Sequence, residues 1–563
     1  MRLLLSPWLW LLGTVALVAT LLVVPVPIPL GPNYWDLALY VDGAHRLSVG
    51  QIPQIDFEAP VGALGYYLAY WTILVFPTGN PLFVAQWSPL IITLPIMAWL
   101  MAEMGRGRTV ERLALLLPFL VFQILPFNIQ SYTTYAGVDG YGFYNRQVCI
   151  LLYVMMAVLM FSNSPRFRAL VVFIILSCLF FVKITGFLAA GLLAFYALIS
   201  GRLTFGLTLL AAIAFVVVLG VLEITLGLTS AYIQDILGLV GANEGTLLPR
   251  FLTVFSVRFD TIFATILLLI LLVGFSLFGA QEAAPATANH IARLGLWLAV
   301  ALVAGIVFET QNTGSQDFIF LWPILLVLLR GCASDQTSRF MGWQRLAMIG
   351  LVAAIAIPPL VTVLHRAARA VVGSVTYQAL EVPRLKSFGR VRIKQAMHER
   401  VEMINRHYAN HRVAYEDLAA QGQLPNWTYY SEIPMQAAWL KQLDTAVKRL
   451  QDIEEKAGEK FDSAFVMDFT SPLAWALGAL PPKHVPIGLD PQRTMTSLSE
   501  AAISELQGTT VMLQPMCPAT TSRNTIADFY RPITQTRTAI KLDPCWVLYL
   551  KSSDVQKFGL QEG

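Results

Sequence analysis

The chain has 563 residues, 56% hydrophobic and only 13% charged, with a formal net charge of +4 and a mean hydropathy of +0.61. Soluble domains carry about 25% charge, so composition argues against a soluble globular protein, and a charge this modest leaves no footprint for nucleic acid. Stretches of roughly 20 mostly apolar residues, each enough to cross a bilayer, recur along the chain, which reads as a polytopic α-helical membrane protein.

Apolar spans are expected at about 8–30, 81–103, 110–126, 147–162, 167–182, 184–200, 204–227, 261–280, 293–308, 317–331 and 343–364. The first is too long for a signal peptide. No A-x-A-like site closes it before Pro25, Pro27 and Pro29, so it reads as a retained span. The segment 62–77, GALGYYLAYWTILVFP, is short and bounded by Gly and Pro. Cytoplasmic loops gather Lys and Arg. With the N-terminus inside and 62–77 lying in the interface, Arg106, Arg108, Arg112, Arg166, Arg168, Arg202, Arg330, Arg339 and Arg345 fall inside. Besides Arg46 in the first loop, few basic residues are left outside: Arg146, Lys183, Arg250 and Arg258. The expectation is about eleven spans in a cell inner membrane, with the N-terminus cytoplasmic and the C-terminal part periplasmic.

The first external loop is unusually charged. A helix over 36–49 would have Asp36 as its N-cap and Gly50 as its stop. Leu37, Tyr40, Val41, Ala44 and Leu47 would share one face; Asp42, His45 and Arg46 lie on the other. The pattern predicts an amphipathic helix along the membrane surface. GQIPQIDFEAP, with Asp56, leads on to 62–77. From the residues alone, Asp36 reads as readily as a cap, Asp42 and Arg46 as an i,i+4 pair, and Asp56 and Glu58 as solvated loop charges.

Further on, the second external loop YAGVDGYGFYNRQ (135–147) offers Asp139, either a turn residue or a ligand, and Arg146, either an interface anchor or a bidentate phosphate partner. Lys183 sits between two short spans, where a charge is expensive unless paired or useful; the bland alternative is snorkelling. Arg250 and Arg258 flank the external loop 229–251, which either closes over a lipid or merely links. ETQNTGSQD, 309–317, is a polar turn that either lines a cavity or is only solvated.

After residue 365 the sequence turns polar. Helical patterns at 389–421, 433–457, 472–479, 495–507 and 522–532 alternate with strand-like runs at 463–469, 509–515 and 545–551. This predicts two domains: 1–365 in the membrane, and 366–563 as an external α/β domain with a partly parallel sheet. An oxidising location would permit a Cys517–Cys545 disulfide, though spacing alone does not fix it. DFTSPLAWALG, 468–478, has Ser471 as a cap and Pro472 at the first helical position. That suits a well-made helix start, or one that binds an anion. Asn426 heads an N-W-T sequon.

The loop residues Asp36, Tyr40, Ala44, Leu47, Gly50, Pro53, Asp56, Phe57, Pro60, Gly62, Leu64, Tyr66, Tyr67 and Leu68 form an ordered pattern. It resembles the first external loop of the GT-C glycosyltransferases, the polytopic enzymes that use polyprenyl-phosphate sugars and include protein mannosyltransferases and aminoarabinose transferases. The resemblance covers about 35 residues and, by topology, extends to about 365. It implies surface-lying helices in this loop and a catalytic base at Asp36. Many members read Asp-Glu where this chain has Asp36-Leu37, so any role of a second acid there is lost or supplied elsewhere. Asp139 is positioned as the acid that members often carry in the second loop.

The implied reaction moves a sugar from a polyprenyl phosphate to an acceptor hydroxyl on a glycan, lipid or protein. A carboxylate takes the acceptor's proton, here Asp36 on an interfacial helix facing a cavity at the outer leaflet. A cation, drawn from Arg146, Lys183, Arg250 and Arg258, or a divalent metal, steadies the leaving phosphate. Tyr40, Asp56 and Asp139 are further candidates for substrate binding. No compact metal-ligand cluster stands in the sequence. The competing expectation is a transporter or flippase, which would explain the spans equally well but would not require a charged first loop; no internal repeat of the kind common in transporters is evident.

Overall fold

The computed structural model describes residues 6–131, 133–242, 247–278, 285–333, 342–424, 432–491, 494–495 and 497–560. Asn426 lies outside the described residues. The first helix, α1, runs Pro7–Val23 and stops ahead of Pro25, Pro27 and Pro29, which cannot continue a helix. The span is therefore shorter than the sequence predicts, and the prolines form an extended lead into strand β1 (Ile28–Pro29). Helices α2 (Leu37–Ser48) and α3 (Leu64–Val75), with strand β2 (Phe57–Glu58) between them, make up the first loop. At 12 residues α3 is about 18 Å long, short of a 30 Å hydrocarbon core, as the interfacial reading of 62–77 expects.

Helices then follow at each remaining apolar segment: α4 (Pro81–Trp87) with α5 (Leu90–Met104), α6 (Thr109–Ile124), α7 (Phe143–Phe161), α8 (Pro165–Val182), α9 (Ile184–Ile199) and α10 (Phe205–Leu226). The described residues of the segment 229–251, read as a loop, are helical. They fall in α11 (Leu228–Ala242) and α12 (Leu247–Val257), because the segment's apolar residues recur at helical spacing. After these come α13 (Phe259–Phe278), α14 (Pro285–Glu309), α15 (Trp322–Ala333) and α16 (Gly342–Ser374). Among the described residues six helices are long and apolar enough to cross a membrane, and a seventh if α4 and α5, bent by 41° at their junction, form one broken span. The chain is thus a helical, multi-pass membrane protein.

Local chemistry sets the starts. The Asn80 side chain accepts from the Leu82 N–H at 3.0 Å ahead of Pro81, and Ser164 accepts from Phe167 N–H at 3.2 Å ahead of Pro165. Helix α7 is the central one, buried along almost its whole length, whereas α10 buries none of its residues and stands at the lipid-facing edge.

The segment after α16 builds β3 (Tyr377–Ala379), β4 (Val391–Lys394), α17 (Gln395–Asn410), α18 (Arg412–Ala420), α19 (Ile433–Ala457), β5 (Ala464–Val466), α20 (Leu473–Leu477), β6 (Val485–Pro486), α21 (Glu500–Gly508), β7 (Val511–Pro515), α22 (Thr521–Phe529), α23 (Arg531–Thr534), β8 (Thr538–Asp543), β9 (Trp546–Leu550) and α24 (Ser552–Lys557). A four-stranded sheet has the order β5-β7-β9-β8, with β5 and β7 parallel and the other pairs antiparallel. Cys517 and Cys545, at opposite ends of the β7–β9 turnover, are joined by a disulfide.

Two small sheets tie the first loop to this segment. β1 pairs in parallel with β4, itself antiparallel to β3, and β2 pairs in parallel with β6. The predicted polar face of α2 is consequently not free. Arg46 bonds Asp42 at 2.9 Å, as the i,i+4 spacing predicts, but it also donates to Pro482 O at 2.7 Å, and His45 bonds Ala479 O at 2.9 Å. The α2 helix is clasped between the spans and the C-terminal segment, rather than floating along the membrane surface. Carbonyls of the C-terminal segment are the partners of His45 and Arg46 on that face, and Asp42 is paired with Arg46.

Candidate functional site

Asp36 closes a short 3₁₀ turn (Tyr34–Asp36) directly before α2. Its side chain does not cap that helix. Instead it points away and Oδ2 accepts a hydrogen bond from the Gly142 backbone N–H at 3.1 Å. Gly142 has φ +73° and sits just before α7. A Cβ there would lie 2.4 Å from Gly314 O, so both its backbone angle and its packing require glycine. Asp36 Oδ1 has no hydrogen bond among the described residues, and the residue is 5% exposed. Burial pushes the carboxyl up to about 7, against the Gly142 N–H and the charge of Arg146, both of which pull it down.

Arg146 is buried one turn into α7. Its Nε donates to Asn128 Oδ1 at 3.0 Å, Nη1 to Gln86 Oε1 at 3.0 Å, and Nη2 to the carbonyls of Asp139 and Tyr141 at 2.9 and 2.8 Å. The guanidinium also lies over the Phe143 ring, 4.5 Å from its centroid. Its donors are engaged by the protein, so here it orders the second loop and contributes a fixed positive field near Asp36.

Asp139 is fully buried. Oδ2 accepts from Asn128 N–H at 2.8 Å and Oδ1 pairs with Arg366 at 2.8 Å. It is therefore tied to the outgoing end of α16. Arg366, two residues past the last predicted span, was not singled out from sequence, although the basic cluster His365, Arg366 and Arg369 after an apolar run was the available signal. Neither Asp139 oxygen is bonded toward Asp36.

Tyr40, one turn along α2 from Asp36, has its ring 5.7 Å from those of Tyr66 and Phe143. Its buried hydroxyl lacks a hydrogen-bond partner among the described residues, as do the Tyr66 hydroxyl and Gln147 Oε1. Asp36 and Tyr40 are close enough for the carboxylate's charge to bear on the phenol.

Lys183 fills the extended break between α8 and α9. Its Nζ donates to Asn145 Oδ1 at 2.6 Å and lies 5.3 and 5.5 Å from the rings of Tyr144 and Phe308. Asn145 in turn donates to Asn312 O and Gly314 O at 3.1 and 3.0 Å, and the Asn312 amide donates to Tyr144 OH at 2.6 Å. The polar turn 309–317 therefore packs on the start of α7, beside the glycine that holds Asp36.

That turn is anchored by Arg258, which grips Glu309 through two bonds of 2.7 and 2.9 Å and donates to Thr313 O at 2.6 Å. Asp317 approaches Arg258 at 3.9 Å and accepts from Thr261 Oγ1 at 2.7 Å. Arg258 is thus committed to an internal pair. Arg250 lies on α12, away from these bonds. Asp56 closes its own turn by accepting from Ile52 N–H at 2.8 Å and pairs with Lys483 at 3.1 Å; it joins the first loop to the C-terminal segment.

Of the sequence-derived candidates, Asp36, Tyr40 and Arg146 converge, with Lys183 one hydrogen-bonded link away through Asn145. Asp56 is bonded elsewhere, and Arg258 reaches this group only through the turn 309–317. Two hollows occur nearby. One, of about 500 Å³, lies between Glu58–Pro60, α11 and Pro486–Ile487, with Asp235 on its wall. The other, of about 390 Å³ and mostly apolar, lies among α6, α13, α15 and α16. Asp36 lines neither. Among the described residues no group of three or more His, Cys, Asp or Glu is placed to hold a metal ion. In comparisons with known proteins, no family model, no curated protein and no solved structure matches the chain.

Proposed function

We propose that the protein is a membrane glycosyltransferase that moves a sugar from a polyprenyl-phosphate carrier to an acceptor hydroxyl, with Asp36 as the general base. The observation that supports this reading best is the state of that carboxyl. It is held by one oxygen, uncommitted at the other, and poised near pH 7 by burial offset by the Gly142 N–H and Arg146. A base matched to the working pH abstracts a proton most effectively. Arg146 keeps enough positive field nearby for the carboxylate to form at neutral pH.

In this reading Oδ1 takes the acceptor's proton as its oxygen attacks the anomeric carbon and the phosphate leaves. Lys183, held by one neutral amide, is the cation best placed to be redirected onto that phosphate, whereas Arg146 and Arg258 are fully occupied. Because Asp36 lines neither hollow, donor binding must open a path to Oδ1. The turn 309–317, whose Gly314 carbonyl packs on Gly142, and the Tyr40–Tyr66 pair are the neighbouring elements that would move.

The test is Asp36→Asn, assayed for transfer from labelled polyprenyl-phosphate sugars in membranes. The expected result is loss of transfer by about 10²–10⁴ with carrier binding retained. Retained transfer would refute the assignment. Retained movement of a lipid-linked substrate across the bilayer, without transfer, would favour the transporter reading, to which the 41° break between α4 and α5 lends support.

A further inference from the structure

Strand β4 combines a buried and a charged face. Val391 and Ile393 point into the core, and Arg390, Arg392 and Lys394 alternate with them on the opposite side. Both neighbours of β4 come straight out of membrane helices. β1 begins five residues after α1 ends, and β3 three residues after α16 ends. The strand is thereby pinned at the membrane surface on the side that carries the C-terminal segment.

Its cations reach toward that surface. Arg390 Nη1 donates to Thr78 O at 2.6 Å, and Thr78 Oγ1 donates to Val23 O, the last residue of α1, at 2.9 Å. Lys394 Nζ lies 5.5 Å from the Tyr135 ring centroid, and Arg369 on α16 donates to the neighbouring Thr134 O at 2.6 Å.

None of these four cations pairs with a carboxylate among the described residues, and the Arg392 guanidinium, unlike its ladder-bonded backbone, has no partner there. Around them are bare apolar side chains, namely Val23, Leu74 and Val75 at the ends of α1 and α3, and Val371, Val372 and Val375 at the end of α16; Val375 is 82% exposed. Exposed valines on both flanks mark where acyl chains end. Cations between them stand at headgroup level, where lipid phosphates are the available anions.

We propose that Arg369, Arg390, Arg392 and Lys394 form a binding ridge for the headgroups of anionic phospholipids in the leaflet facing the C-terminal segment. The ridge seats that segment against the bilayer at the point where β1 joins it to the first loop. The inference does not depend on the glycosyltransferase reading.

The test uses the full chain in a neutral detergent, titrated with dihexanoyl phosphatidylglycerol or dihexanoyl phosphatidylcholine and read by native mass spectrometry. The wild type should favour phosphatidylglycerol, and R390Q/R392Q/K394Q should lose on the order of 100-fold of that preference, about fivefold per cation. R390K/R392K should keep it. If the triple variant fails to fold, R392Q carries the test with an expected loss of about fivefold. An unchanged preference in these variants, or no preference in the wild type, overturns the proposal. So does displacement by inorganic phosphate, or by polyprenyl phosphate alone, because either would make the ridge a phosphate or carrier site and not a phospholipid one.

Discussion

Arg258 and Glu309 are both essentially inaccessible and joined by two short hydrogen bonds. Removing one partner leaves an uncompensated buried charge, which typically costs 3–5 kcal/mol, whereas replacing both with apolar groups is often neutral. Glu309→Leu should therefore lower the thermal unfolding midpoint in detergent by about 3–4 °C, the shift that about 3–5 kcal/mol gives for 563 residues. The guanidinium would keep Thr313 O and Ser315 Oγ as neutral acceptors at 2.6 and 2.8 Å, and the Asp317 carboxylate at 3.9 Å as its one remaining counter-charge among the described residues. Arg258→Met alone should do similar damage. The double variant should recover most of the loss, since Asp317 keeps its bond to Thr261. Intrinsic tryptophan fluorescence during heating reads all three. If the double variant is as destabilised as either single, the pair contributes favourable energy of its own and the reasoning from desolvation is wrong; strict additivity would show the two residues to be uncoupled and refute it as well.

The raised Asp36 carboxyl makes two pH predictions. Its folded value of about 7 lies above the ordinary value near 4. The native state therefore holds the proton more tightly, and the associated stability is present below about pH 4 and lost as pH rises to about 7. Asp36→Asn should flatten that dependence in unfolding experiments across the same window. Transfer activity should rise through about pH 7 as the base ionises, and a flat acid limb would count against Asp36 as the titrating group. The Cys517–Cys545 disulfide closes a loop of 28 residues, so Cys517→Ser with Cys545→Ser should cost about 3–4 kcal/mol, read as a lower unfolding midpoint. Gly142→Ala should impair both folding yield and activity, because φ +73° and the Gly314 carbonyl leave no room for a methyl group; wild-type behaviour would show that the Asp36 anchor is unimportant.

Helices were legible at the expected spans because long apolar runs have few other fates, but among the described residues six, or seven with the bent α4–α5 pair, are long and apolar enough to cross, against about eleven expected. The brevity of α3 was readable from Gly62 and Pro77. The mixed sheet at 464–550 announced itself through short β-branched and aromatic runs, apart from β8, whose alternating Lys541 and Asp543 disguise it. The surroundings of Asp36 were not legible. As a residue directly before an apolar helix it fits an N-cap, and only the tertiary approach of Gly142, more than a hundred positions away, draws the carboxyl elsewhere. Likewise Arg146 and Arg258 look like free phosphate ligands in one dimension. Their partners Gln86, Asn128 and Glu309 are scattered along the chain and carry no local pattern. The clasping of α2 by the C-terminal segment escaped for the same reason: a two-residue strand such as β2 leaves no periodicity to read.

The central claim is that the free oxygen of Asp36 meets the reacting sugar. An electron cryomicroscopy structure of the protein with a polyprenyl-phosphate sugar bound measures this directly. The account predicts Oδ1 within about 3 Å of the acceptor oxygen's position, with Lys183 turned onto the phosphate. A headgroup lodged in the hollow beside Asp235, with Asp36 still sealed beneath Gly142, would contradict it.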